Sequence, residues 1–299
     1  MFWILLSLAG AAFQALGSAV SKKVLRLNDT KNVIGFVAYT FAGAIFFMIS
    51  FFSSEKFWVS GLSMKFWITV AAFAVINVLA AWCLYRSLEF AELNYVMPYM
   101  TLTSLSLILP PMFFLGEIPT LGSVFGMTII VAGAILMNRT KMQLTSDEFS
   151  LRASNRKGLK YFMVTALCYT ILPTLAKIAV QESSVLFASV ICHLLVGFGF
   201  LLLLIFRNEW RKIALLSPRK NPAHLALVLV IGLIAVGENG SINMALSQAS
   251  VAQVFAIKRL MPFFAFLIGY FYFNERDDLW KKIAATALMI VGAMATILL

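Results

Sequence analysis

The sequence predicts an all-α membrane protein with ten transmembrane helices, arranged as two inverted five-helix repeats. Three observations carry that expectation. Of 299 residues, 61% are hydrophobic and only 12% charged, with a mean hydropathy of +0.90. A soluble fold of this length would need more charge to cover its exterior. The apolar residues fall in runs near the roughly 20 residues that cross a bilayer's hydrocarbon core. Finally, one half of the chain resembles the other at a fixed offset.

Ten spans follow along the chain: 2–21, 33–53, 66–85, 93–115, 120–138, 159–180, 185–206, 223–246, 251–273 and 280–298. The runs are too long for barrel strands and do not alternate. The first span lacks a basic segment before it, and Lys22, Lys23 and Arg26 follow it, so it is expected to be retained rather than cleaved as a signal peptide. The most polar stretch, Asn138 to Gly158, carries Arg139, Lys141, Asp147, Glu148, Arg152, Arg156 and Lys157. The expected organisation is a first repeat over 1–140, a basic linker loop over 141–158 and a second repeat over 159–299.

The net charge of +11 is not a nucleic-acid signature, because the basic residues lie between apolar runs, beside anionic lipid. Segments after spans 1, 3, 5, 7 and 9 hold 19 of the 24 Lys and Arg residues, whereas the other face has only Lys56 and Lys65. By the positive-inside rule both termini are expected outside the cytoplasm of a cell whose cytoplasmic (inner) membrane holds the protein. Cys83, Cys168 and Cys192 sit within apolar runs and read as buried hydrophobes.

A shift of 158 residues lays Tyr85-Arg-Ser-Leu-Glu-Phe-Ala91 on Asn243-Met-Ala-Leu-Ser-Gln-Ala249, and Leu-Gly-Glu117 on Phe-Asn-Glu275. With five spans per unit, the copies must enter the membrane in opposite directions, a frequent transporter plan with the site between the halves. Residues 85–136, including Gly133, resemble an EamA-type unit of the drug/metabolite transporter superfamily, and residues 243–294, including Gly292, resemble a second copy. Many members carry Gly where this chain has Asn274. The resemblance implies carriage of metabolites through a central cavity lined mostly by spans 1, 3, 4, 6, 8 and 9.

Four ionisable residues fall within spans: Lys177, Glu238, Lys258 and Arg259. Each costs about 2.5–3.5 kcal/mol at the bilayer centre on insertion scales, so such residues usually face a cavity or a partner. Lys258 and Arg259 lie roughly 11–12 Å into span 9 at 1.5 Å per residue. They need an anion or water, which Glu238 or an anionic substrate would supply. The Lys-Arg pair also resembles the ninth helix of the plastid sugar-phosphate translocators, where it helps hold phosphate. Span 4 lacks the further basic residue of those proteins, so a carboxylate or zwitterion suits equally.

Glu238 sits in Gly237-Glu-Asn-Gly240, where the glycines permit close packing or local unwinding. Its carboxylate would carry a proton, bind an amino group or neutralise a cation. Asn239, Asn243, Gln14, Trp82, Tyr85, Tyr95, Tyr99 and Lys177 complete the candidate substrate-binding set; Lys177, near a helix end, is also placed to snorkel. Asn77 is a further candidate on span 3, and His193 reads as a hydrogen-bonded packing residue. Pro98, Pro110, Pro111, Pro173 and Pro262 are candidate kinks, and Gly122-x-x-x-Gly126 marks a close contact within the fold or between protomers.

No catalytic triad, metal-ligand cluster or phosphate loop appears, so no enzyme activity, metal or cofactor is expected. The expected partners are a small-molecule substrate and membrane lipid, with no nucleic acid; oligomeric state is open. The leading function is a secondary transporter of an anionic or zwitterionic metabolite, alternating access around a midplane cavity. The alternatives are a non-transporting receptor or scaffold, a membrane-embedded enzyme, or, among carriers, an exporter of amino acids or amphiphiles.

Overall fold

The computed structural model describes residues 2–27, 31–53, 61–91, 95–96, 99–100, 105–138, 146–216, 221–272 and 279–298. The helices are α1 (Phe2–Leu27), α2 (Lys31–Phe52), α3 (Met64–Phe90), α4 (Leu109–Leu115), α5 (Leu121–Asn138), α6 (Ser146–Gln181), α7 (Val185–Phe206), α8 (Pro222–Leu246), α9 (Val251–Lys258), α10 (Met261–Tyr272) and α11 (Leu279–Leu298). Short 3-10 segments lie at Ser106–Ile108 and Trp210–Leu216. Among the described residues, eight helical stretches are long and apolar enough to cross a membrane, and shorter apolar ones cover Ser106–Leu115 and Leu121–Leu136. These ten segments overlap the ten expected spans, the fourth of which is described only in part. The outer faces are apolar: Phe52 is 90% exposed and Trp280 81%, values suited to hydrocarbon rather than water.

Local chemistry sets the helix ends. Ser63 and Ser184 cap α3 and α7 by accepting from the backbone N–H of Phe66 and Phe187. Gly116, at φ +68°, ends α4 in the left-handed conformation that glycine adopts without a Cβ penalty. The chain then turns to present Glu117.

Two expectations require correction, and a third is decided between its alternatives. The linker expected over 141–158 is helical from Ser146, because α6 extends far beyond the apolar run. Span 9 is not one helix but breaks between α9 and α10. Of the two roles open to the glycines around Glu238, Gly237 has the first: a Cβ there would meet the Phe13 ring at 2.8 Å, so it serves close packing of α1, and α8 is continuous from Pro222 to Leu246 without unwinding. Lys56, Pro98, Arg139, Lys141, Arg219, Lys220, Asn274, Glu275 and Arg276 lie outside the described residues.

Packing follows a two-fold pattern. The most extensive helix contacts are α1 with α8, α3 with α6, α2 with α7 and α5 with α11. Exchanging the halves converts the first pair into the second and returns each of the other two to itself. At the α5–α11 contact, a Cβ on Gly126 would collide with the Gly292 carbonyl oxygen and the Thr296 side chain. The Gly126 end of the Gly122-x-x-x-Gly126 motif is therefore used within the fold. A main apolar core joins α1, α2, α3, α6 and α7, while a second cluster ties Met127, Ile130 and Met289 to Ala256 and Ile257 of α9.

The candidate substrate cavity

Lys258 and Arg259 owe their position to the break in span 9. Ser250 starts α9 with a capping box completed by Gln253. Eight residues on, at Lys258, the helix ends, because four residues further lies Pro262, which has no N–H to donate to the Lys258 carbonyl and whose ring clashes with that carbonyl in a helix. Arg259 and Leu260 form a turn, and α10 restarts at Met261 with Pro262 in its first turn, where proline is tolerated. The two cations thus stand at a helix discontinuity inside the bundle, a type of position that transporters use for binding.

They face a cavity of about 850 Å³, its open mouth included. Gln14 lines it from α1, Tyr39 from α2, Phe73 and Asn77 from α3, Tyr169 and Pro173 from α6, Cys192 and His193 from α7, Glu238, Asn239 and Asn243 from α8, and Phe255, Lys258 and Arg259 from the broken span. Lys258 Nζ donates to Glu238 Oε1 at 2.9 Å, and its ammonium lies 5.2 Å from the Phe255 ring centroid. The side chains of Lys258 and Glu238 are 12% and 19% exposed, and Arg259 is buried. Neutralisation of Lys258 by Glu238 is therefore the contact formed.

The polar walls are ordered by hydrogen bonds. Asn243 donates to Ser189 Oγ at 2.9 Å, while Asn239 donates to the Ala235 carbonyl at 2.9 Å. The Ser189 carbonyl accepts from His193 Nδ1 at 2.7 Å, and Tyr39 Oη donates to Asn77 Oδ1 at 3.2 Å. His193 has the hydrogen-bonded environment expected of it, but it also faces the cavity.

Of the eleven residues in the candidate set, six converge on this space, Gln14, Glu238, Asn239, Asn243, Lys258 and Arg259, and the further candidate Asn77 joins them. Five do not line it. Lys177 forms a 2.5 Å ion pair with Glu117 and donates to the Ala249 carbonyl at 2.7 Å, so it is buried in a polar clamp rather than snorkelling. Glu117 also accepts from the Val251 N–H at 2.9 Å, fixing the start of α9. Trp82 stands beside Tyr161 and under the Arg207 guanidinium, 5.1 Å from its ring. Tyr85 packs near Phe200, which stacks on Tyr39. Tyr95 and Tyr99 contact each other at 5.9 Å between centroids and pack on the main core. Sequence reasoning missed Tyr39 and Tyr169, whose only signal was a phenol in the middle of an apolar run. Spans 2 and 7 contribute to the walls beyond the set implied by resemblance. Among the described residues, span 4 contributes none.

The cavity lies between the helix midpoints and the end of the bundle that carries Glu117, Lys177 and Glu182; Ala176, Ala188 and Leu246 line it towards that end. Towards the opposite, basic end it is backed by Tyr39, Phe200 and Tyr85. Beyond them lies a polar layer. Glu89 accepts from Lys31 at 3.0 Å and from Arg86 at 2.5 Å, while Glu209 accepts from Asn32 at 2.6 Å and from Lys212 at 3.0 Å. Burial pushes the Glu209 carboxyl up, but bonds from Lys212 and Asn32 and the nearby Lys31 charge outweigh it and hold the group below the usual glutamate range. At the other end, Lys65 and Ser63 bond Glu182 and lower its carboxyl likewise.

A family model described as the EamA-like transporter family matches residues 1–139 and 156–298. Twenty-eight chains of solved structures match; one, described only as "Crystal structure of protein", aligns over 98% of this chain and 94% of its own at 15% identity, with a TM-score of 0.69. That likeness concerns the fold alone. No curated protein matches.

Proposed function

Because the chain belongs to the EamA-like transporter family, we propose that it is a secondary carrier for a small anionic or zwitterionic metabolite, working by alternating access around the cavity at the break in span 9. The observation that carries this reading is the charge arrangement: two cations and one carboxylate line a cavity between the halves, with Lys258 bonded to Glu238 and Arg259 buried in the same wall. An arginine offers a planar fork to a carboxylate or phosphate oxygen pair. Lys258 is held beside it by Glu238, ready to exchange one carboxylate for another. Aromatic faces from Phe73, Tyr169 and Phe255 suit an organic body, and Asn77 and Asn243 offer further hydrogen bonds. In a zwitterion, the amino group would meet Glu238.

The proposal includes a membrane and a sidedness. Placed in the cytoplasmic membrane with its basic end inward, the protein would have both termini outside, as the charge bias favours. The cavity would then lie on the external side, with the Tyr39–Phe200–Tyr85 layer and the Glu89 and Glu209 networks closing the cytoplasmic side. Transport in this scheme needs those networks to open as the external end closes. No reacting group is assigned, and the third candidate cation, Lys177, holds helices rather than substrate.

A thermal-shift screen of purified protein against amino acids, monocarboxylates and phosphate esters, followed by uptake of the hits into liposomes, tests this. Saturable uptake of an anion or zwitterion is the expected result. Hits confined to neutral or cationic compounds would overturn the substrate class, and binding without uptake would favour a receptor.

A further inference from the structure

A second concavity lies outside the bundle core. Leu16, Ala19, Val20 and Lys23 of α1, Leu227 of α8, and Leu267, Ile268 and Phe271 of α10 enclose a groove of about 970 Å³, its open side included. The α1 residues fall at i, i+3, i+4 and i+7, which places them on one face of that helix. Every lining residue but Lys23 is apolar. Lys23 is exposed at the end of α1, and Phe271 is 79% exposed at the end of α10. The groove therefore opens sideways, towards lipid, and not into the cavity beside Arg259, with which it shares no lining residue.

Its length and polarity are those of a lipid leaflet. From Lys23 to Leu16 the helix descends roughly 10 Å at 1.5 Å per residue, against a hydrocarbon half-thickness of about 15 Å. A cation at the top of an apolar trough matches a phosphate above an acyl chain. A zwitterionic headgroup gains less from Lys23, because its own cation faces the same lysine.

We propose that this groove is a binding site for an anionic glycerophospholipid, with one acyl chain lying between α1 and α10 and the phosphate at Lys23. The site touches α1, α8 and α10, helices that hold or adjoin Gln14, Glu238 and the broken span, so its occupant would brace the elements that carry the cavity. This inference does not depend on what the cavity binds.

The test is native mass spectrometry of the full chain released from detergent micelles containing equal amounts of phosphatidylglycerol and phosphatidylcholine of the same chain length. The wild type should retain phosphatidylglycerol at least fivefold over phosphatidylcholine. Lys23→Gln should bring that ratio close to one, and Val20→Trp, which fills the groove, should reduce retention of both lipids. If Val20→Trp does not elute as a single species, Leu16→Trp on the exposed flank replaces it. Equal retention of the two lipids by the wild type overturns the proposal. So does an unchanged preference in Lys23→Gln, which would move the phosphate to other basic residues, or equal binding of glycerol phosphate without chains, which would make the groove irrelevant.

Discussion

Removing the carboxylate that faces Lys258 is the sharpest perturbation the cavity offers. Glu238→Gln keeps the size of the side chain and removes its charge. At 2.9 Å the full charges attract by about 6 kcal/mol for an effective dielectric of about 20. Breaking one side of such a pair typically costs about 3–5 kcal/mol, since the remaining charge stays desolvated. Here Lys258 would be left next to Arg259, which makes the upper end of that range appropriate. With about 2–4 °C per kcal/mol for a chain of 150–250 residues, melting in detergent should fall by roughly 6–20 °C. Glu238→Gln combined with Lys258→Met removes both charges and should recover most of that loss. The double variant should still fail to transport if Lys258 exchanges its carboxylate for that of the substrate. Differential scanning fluorimetry reads the first part and liposome uptake the second. A single variant as stable as the wild type, or a double variant less stable than the single, would refute the reasoning.

Other consequences are simpler. Lys177→Met should lower stability by about 3–5 kcal/mol by stranding Glu117, yet ligand-induced thermal shifts should persist in the folded protein; loss of those shifts at full stability would make Lys177 a binding residue. Gly126→Val should cost about 1–3 kcal/mol or more by forcing α5 off α11, measured by denaturant unfolding. For Glu209 the folded carboxyl lies below its ordinary value, so its contribution is fully present above about pH 4.3 and is lost as pH falls through the folded value. Melting of the wild type should therefore decline more steeply below pH 4.3 than that of Glu209→Gln; parallel curves would show that the Asn32–Lys212 network does not stabilise the fold.

The bilayer's demand for long apolar helices made the ten spans readable from composition and run length, and the offset of 158 residues revealed the repeat before any helix pairing was known. The break at Arg259–Leu260 was not readable, although Pro262 was noted. A proline kinks or breaks a helix depending on what accepts the freed carbonyl, and that depends on neighbours. Six candidate residues met in one cavity because buried charges must find partners, a constraint that acts through sequence. Tyr39 and Tyr169 escaped because a tyrosine in an apolar run is indistinguishable from a packing aromatic until its hydroxyl is placed. Trp82 and Tyr85 were misplaced relative to the cavity by depth: they lie on the right helix, but near its basic end. Lys177 was expected to reach towards the surface or the substrate because Glu117, sixty residues earlier in the chain, has no sequence link to it.

The central claim is that the positive charge at the break in span 9 receives the anionic group of the substrate. Uptake into liposomes by Arg259→Gln and Arg259→Lys, using an anionic hit from the metabolite screen and protein matched for folded fraction, tests it directly. The account predicts at least a tenfold loss of uptake for the glutamine variant and partial recovery for lysine, which keeps the charge without the planar fork. Undiminished anion uptake by a folded Arg259→Gln protein would contradict it.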